Sequence, residues 1–309
     1  MKPPDSVRIR EVGPRDGIQS EKASVPTDDK VRFIDALSRT GLGFIEAASF
    51  VSPKAVPQMA DAREVFARIE RNPDVFYSAL VPNRKGAELA AEAGADGLQV
   101  FIAATDSYNL KNVQRTVEES LPDVAEVVKV GDESNIPVEG TISCAFGCPY
   151  EGDVAPARVV DVSRWLVDLD VHAISYGDTT GMGTPRRVVD VVNAVRGALP
   201  DLTLNMHFHD TRGTGLANAL TALLMGVDYF DASVGGMGGS PFAEGSTGNI
   251  CTEDLVHMLD DMGVATGVEL DALLDAARIA QGFVRGDLPG KVLKAGSRGN
   301  VAGPVTKAD

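Results

Sequence analysis

Two histidines one residue apart, in the run Asn205-Met-His207-Phe-His209-Asp210, form the spacing in this 309-residue chain that points most directly to chemistry. On an extended strand, residues i and i+2 face the same side. His207 and His209 can therefore offer two imidazoles to one point, which is half of a divalent-metal site. The ordinary alternative is a pair of hydrogen-bonded histidines near a rim, although two of the four histidines in the chain stand here. A second cluster, Glu11-Val-Gly-Pro-Arg-Asp-Gly17, presents Arg15 and Asp16 after a stiff Gly-Pro turn. A carboxylate there could complete a site with the imidazoles. A guanidinium there could stabilise negative charge developing on a substrate oxygen. Taken alone, such a pair is more often a surface ion pair worth little.

The third cluster runs from Gly235 to Asn249 and is rich in glycine. That composition suits a mobile loop, or one whose backbone approaches a ligand closely. The amide oxygen of Asn249 is a candidate fourth ligand; the alternative is a helix cap before ICTEDLVHML. Glu46, Gln19 and the run Gly177-Asp178-Thr179 also end or follow runs that read as strands. Lone carboxylates of this kind are more often structural than catalytic.

These clusters need elements to hold them, and the sequence supplies a repeating pattern. Short β-rich runs read as strands over 7–12, 43–48, 75–80, 97–102, 137–144, 171–176, 202–208 and 227–233. Amphipathic helical stretches lie between them, such as DDKVRFIDALSRTG, NRKGAELAAEAGA and TPRRVVDVVNAVRGAL. The last opens with Thr184 as N-cap and Pro185 in the first turn. Strand–helix alternation repeated about eight times implies parallel β with right-handed crossovers, and eight units are what a (β/α)8 TIM barrel requires. A doubly wound open sheet is the alternative that counting leaves open. The polar clusters sit at the C-terminal ends of the strands, which in a barrel is the active-site face. The expected organisation is one catalytic domain over 1–285 with a basic, Gly-rich C-terminal tail over 286–309, which either folds over the mouth or stays loose.

Bulk properties narrow the function. The net charge is -15, which disfavours nonspecific binding to nucleic acid or an anionic membrane. No window reaches ~18 uninterrupted apolar residues, so no membrane span is expected. The N-terminus reads neither as a signal peptide nor as a transit peptide, and cytoplasmic is the default expectation. The three cysteines, Cys144, Cys148 and Cys251, are too few and odd in number for a disulfide framework. Cys144 and Cys148 have metal-like spacing but no second pair to complete a zinc site, so reduced, partly buried thiols are expected.

In combination and in order, the stretches EVGPRDGIQSEK, ASFVSPKAVPQMAD, ISCAFGCPYEG, GDTTGMGTP, HFHDTRGTGLAN and GSTGNICTEDLVHML resemble the 3-hydroxy-3-methylglutaryl-CoA lyase family, over about residues 7 to 262. The resemblance implies a barrel metallolyase in which Asp16, His207, His209 and Asn249 ligate one Mg2+ or Mn2+. It implies that Arg15 meets the thioester carbonyl, that Glu46 lies close to Arg15, and that Asp178 is a supporting catalytic carboxylate. It implies an acyl-CoA substrate, with Gln19, Ser49, Lys22 and Lys54 as binding residues. Lys111 and the tail lysines are further candidates for the coenzyme's phosphates. It also suggests a homodimer.

The implied reaction is a retro-Claisen cleavage of a 3-hydroxyacyl-CoA to acetyl-CoA and a ketone or keto acid. One position departs from the family pattern: Ser240, in GGSPFAEG, stands where the family carries a catalytic cysteine. A thiol has a reference pKa near ~8.5, and a serine hydroxyl is a far weaker acid. Loss of a positioned acid typically costs on the order of 10²–10⁴ in rate. Cleavage of 3-hydroxy-3-methylglutaryl-CoA is therefore expected to be slow or absent, unless a related substrate such as citramalyl-CoA is used. Alternatives are a weakly active or non-catalytic metal- and CoA-binding homologue, or another aldolase of the superfamily.

Overall fold

The β-branched and aromatic runs form eight strands in the computed structural model, which describes residues 2–239, 248–284 and 286–299. They are Arg8–Glu11 (β1), Phe44–Ser49 (β2), Phe76–Leu80 (β3), Gly97–Ala103 (β4), Val138–Ser143 (β5), Ala173–Asp178 (β6), Thr203–Phe208 (β7) and Tyr229–Ala232 (β8). All neighbours are parallel, and β1 pairs with both β2 and β8. The sheet therefore closes into a (β/α)8 barrel, and the open doubly wound alternative falls away.

Helices return the chain between strands, and their ends follow local chemistry. Asn83 caps Arg84–Glu92 by accepting from the Gly86 N–H at 3.1 Å. Thr116 and Glu119 form a reciprocal capping box on Val117–Ser134. Thr184 does occupy the N-cap position of Pro185–Ala198, but its side chain makes no capping hydrogen bond; Pro185 alone supplies the start signal. β6 begins two residues later than the hydrophobic run predicts. Asp170 adopts a left-handed conformation (φ 64°) to end the preceding helix, and the Val171 N–H returns to the Leu166 carbonyl. The strand consequently extends to Asp178, which becomes its last residue.

Strand alternation turns an unusually polar set of side chains inward. Register places Arg10 and His207 each beside Asp231, and Gln99 beside Glu139. Apolar residues such as Phe33, Ile45, Leu98, Val159, Val192 and Leu255 fill the layer between strands and helices. Part of the C-terminal segment packs onto this body. Leu288 is buried, and the Asp254 carboxylate accepts the Lys291 and Val292 N–H groups at the start of the short helix Lys291–Ala295. No described helix is long and apolar enough to cross a membrane.

Candidate active site

Asp16 and Arg15 sit on one wide π-helical turn, Gly13–Gly17, directly after β1. Such turns leave the regular hydrogen-bond ladder and re-aim side chains. The turn is held by Glu11, whose Oε1 accepts from the Gly13 N–H at 2.8 Å and the Val234 N–H at 2.9 Å. Its Oε2 accepts from the Thr252 hydroxyl at 2.6 Å. Glu11 thus joins the loop after β1 to the loop after β8, the two loops that carry Asp16 and Asn249.

Asp16, His207 and His209 converge, each offering a ligand atom within 4.8 Å of the others. The two Nε2 atoms stand 3.1 Å apart. His207 Nδ1 lies 3.1 Å from Asp231 Oδ2; a carboxylate only accepts, so Nδ1 carries a hydrogen, and in the neutral ring Nε2 presents a lone pair. Asn249 joins the group from the far end of the glycine-rich loop. Its Nδ2 donates to Asp16 Oδ2 at 2.8 Å and to the Met237 carbonyl at 2.9 Å. Both partners are acceptors, which fixes the amide orientation and leaves Oδ1 buried without a hydrogen-bond partner among the described residues. An orphaned buried oxygen beside two imidazoles and a carboxylate is the donor set of a cation site. Gly238 (φ 111°) is required beside it, because a Cβ there would fall 2.5 Å from Asn249 Nδ2.

Arg15 is largely buried and is not a surface group. Its Nε donates to Glu46 Oε2 at 2.6 Å and its Nη1 to Asp16 Oδ1 at 2.7 Å. Burial alone would lower the Arg15 pKa, but Glu46 and Asp16 outweigh it and raise it. Burial pushes the Asp16 carboxyl up, yet Arg15, the two histidines and Asn249 hold it below its ordinary value. The carboxylates Asp16, Glu46, Asp231 and Glu139 pair with two guanidiniums, Asp16 and Glu46 with Arg15, and Asp231 and Glu139 with Arg10.

These groups open into a cavity of about 860 Å³. Arg15, Asp16, Gln19, Lys22, Glu46, His207 and His209 line it, and it extends toward Asn83, Asn112 and Arg115. Gln19 Oε1 is buried and has no hydrogen-bond partner among the described residues. Ser49 is fully buried, its hydroxyl has no partner among the described residues, and it does not line the cavity. Lys54 is exposed on a loop whose neighbours Ser52 and Ala55 do line it, and Lys111 precedes the lining residue Asn112. Lys291 and Lys294 are not among the lining residues. Asp178 turns differently from the resemblance's picture of a mouth carboxylate: Oδ1 accepts the Met182 and Gly183 N–H groups at 2.7 and 2.8 Å, while Gly177 and Thr179 on either side line the cavity and it does not. Burial pushes its pKa up to about 7 against those two hydrogen bonds. Ser240 lies outside the described residues; Gly239 before it lines the cavity. All three cysteines are free and buried.

Arg10, Asp231 and Glu139 carry no motif, and reading for clusters at strand ends passes over them. The available signal was a charge inside a run otherwise destined for burial, since buried charges persist only when paired.

Comparison with known proteins gives a consistent match. The HMGL-like family model matches residues 6–280. The chain is 48% identical over 273 residues to the cytoplasmic 3-hydroxy-3-methylglutaryl-CoA lyase of rat, covering 88% of this chain and 80% of that one. The crystal structure of the Bacillus subtilis HMG-CoA lyase superposes with a TM-score of 0.93 at 43% identity, covering 96% and 99% of the two chains. An HMG-CoA lyase from Acinetobacter baumannii, in complex with coenzyme A and 3-methylmalate, gives 0.92 at 41% identity and 98% coverage of both.

Proposed function

The chain belongs to the HMGL-like family, and from that premise we propose that it is an acyl-CoA carbon–carbon lyase that cleaves 3-hydroxy-3-methylglutaryl-CoA or a close 3-hydroxyacyl-CoA relative at the barrel mouth. In this reading Asp16, His207, His209 and Asn249 hold one Mg2+ or Mn2+, since imidazole with oxygen ligands accepts either. The observation that carries it is the convergence of three ligand atoms within 4.8 Å next to the orphaned Asn249 oxygen, at the head of the cavity.

A divalent cation bound there supplies Lewis acidity toward the substrate's hydroxyl and thioester oxygens. The protein's own residues do the rest. As the C2–C3 bond breaks, the C3 hydroxyl gives its proton to a nearby carboxylate or water and becomes a carbonyl, the bonding pair passes to the acetyl-CoA side as an enolate, and negative charge gathers on the thioester oxygen. Arg15 faces that charge. Glu46 and Asp16 occupy its Nε and Nη1, which leaves Nη2 for the substrate and fixes the guanidinium plane before the charge develops. Glu46 therefore acts by orienting Arg15, and its position in the lining also suits it to relay a proton. Gln19 and Lys22 line the same cavity as Arg15, as do Asn83, Asn112 and Arg115, and in this reading that cavity receives the coenzyme. Ser240 lies beyond Gly239 in sequence, where the family pattern has its proton-transfer cysteine, so reprotonation of the enolate carbon is the step most open to difference.

The test is acetyl-CoA release from a panel of 3-hydroxyacyl-CoA esters, assayed with Mg2+ or Mn2+ and again with chelator. Cation-dependent release from at least one branched ester is expected. Release from none of them under any metal would sink the lyase reading.

A further inference from the structure

We infer that Asp231, clamped by Arg10, is the positioning residue that sets the tautomer and aim of His207. The inference rests on reading His207 as a cation ligand. Asp231 is only 3% exposed and takes five contacts. Arg10 donates through Nε at 2.8 Å and Nη2 at 3.0 Å. Asn205 Nδ2 donates at 2.7 Å and the Ser175 hydroxyl at 3.0 Å, and His207 Nδ1 completes the set at 3.1 Å. The carboxylate cannot rotate without breaking several of these at once.

Barrel register makes the arrangement. Asp231 on β8 lies beside Arg10 on one side and beside His207 on the other. Arg10 is itself anchored by Glu139 at 2.7 Å, to which Gln99 Nε2 donates at 3.0 Å. A chain of fixed charges thus runs from the barrel interior to the imidazole. Stability alone does not require it, because well-packed apolar residues of similar volume commonly serve as well as a buried ion pair. Orientation does require it. A ligating histidine whose second nitrogen donates to a carboxylate has its tautomer fixed and its ring held, and losing such a partner typically lowers metal affinity 10–100-fold.

Two measurements on the full chain test this. Long-range 1H–15N correlation spectra of the metal-free native protein, recorded at a pH high enough that the ring is neutral, should show His207, identified by the signal missing in His207→Gln, as the Nδ1–H tautomer; an Nε2–H tautomer overturns the inference. Calorimetric Mn2+ titration should show roughly 10–100-fold weaker binding in Asp231→Asn than in the native chain. Equal affinity in the two, or a lowered unfolding midpoint with tautomer and affinity unchanged, assigns Asp231 a merely structural role and also overturns it. Failure of the native chain to bind Mn2+ instead removes the cation site itself. If Asp231→Asn does not fold, the native tautomer still decides.

Discussion

Glu11 offers a sharp test of how burial governs the loops that carry the site. It is fully buried and accepts three hydrogen bonds, from Gly13, Val234 and Thr252. Burial raises its pKa from 4.5 to about 7, opposed by those hydrogen bonds and assisted by the nearby Glu253. That rise corresponds to roughly 3 kcal/mol in favour of the neutral form. The sign is set by which state keeps the proton. Between pH 4.5 and about 7 the folded chain holds it and the unfolded chain has released it, so stability falls as pH rises and levels off above 7. Glu11→Gln removes the ionisation while its carbonyl still accepts from Gly13 and Val234 and its amide donates to the Thr252 oxygen. Urea unfolding at a series of pH values from 4.5 to 8, with chelator present to remove cation linkage, reads the effect. The variant should gain on the native chain as pH rises, by up to about 3 kcal/mol at pH 8. Parallel curves for the two proteins would refute the assignment of a buried, neutralised carboxyl to this position.

Three further outcomes are expected. Arg15→Lys keeps a positive charge but loses the fork that spans Glu46 and Asp16, so kcat should drop on the order of 10²–10³ with a smaller change in KM; steady-state kinetics with an unchanged kcat would exclude the charge-stabilising role. Ser240→Cys restores a group with a reference pKa near ~8.5 and should raise 3-hydroxy-3-methylglutaryl-CoA cleavage, on the order of 10²-fold if reprotonation limits turnover. A native rate already near the ~10 s⁻¹ typical of enzymes would show that the serine is tolerated. Mn2+ or Mg2+ at about 100 times its dissociation constant should stabilise the native fold by roughly 2.7 kcal/mol, visible as a higher unfolding midpoint, and His209→Ala should abolish that increment.

Much of this molecule was readable from local periodicity. Alternating strands and helices of the right length specify a parallel β/α fold, and the His-X-His spacing on a strand places both imidazoles on one face whatever the rest of the chain does. The Gly-Pro turn that presents Arg15 and Asp16, and the asparagine ending the glycine-rich loop, were visible as candidates for the same reason: their signals lie within a few residues. Tertiary structure alone decided what those candidates meet. Barrel closure pairs β1 with β8 and so brings Asp16 to Asn249, 233 positions away. Register, which no single strand encodes, seats Asp231 between Arg10 and His207 and builds a charged interior that apolar patterning did not foretell. The same closure gives Asp178 two backbone N–H groups to hold, away from the cavity that its sequence neighbours line. The physical division is plain: a side chain's face follows from its own backbone, but its partner across the barrel follows from how eight strands are sheared against one another, and that is a property of the whole chain.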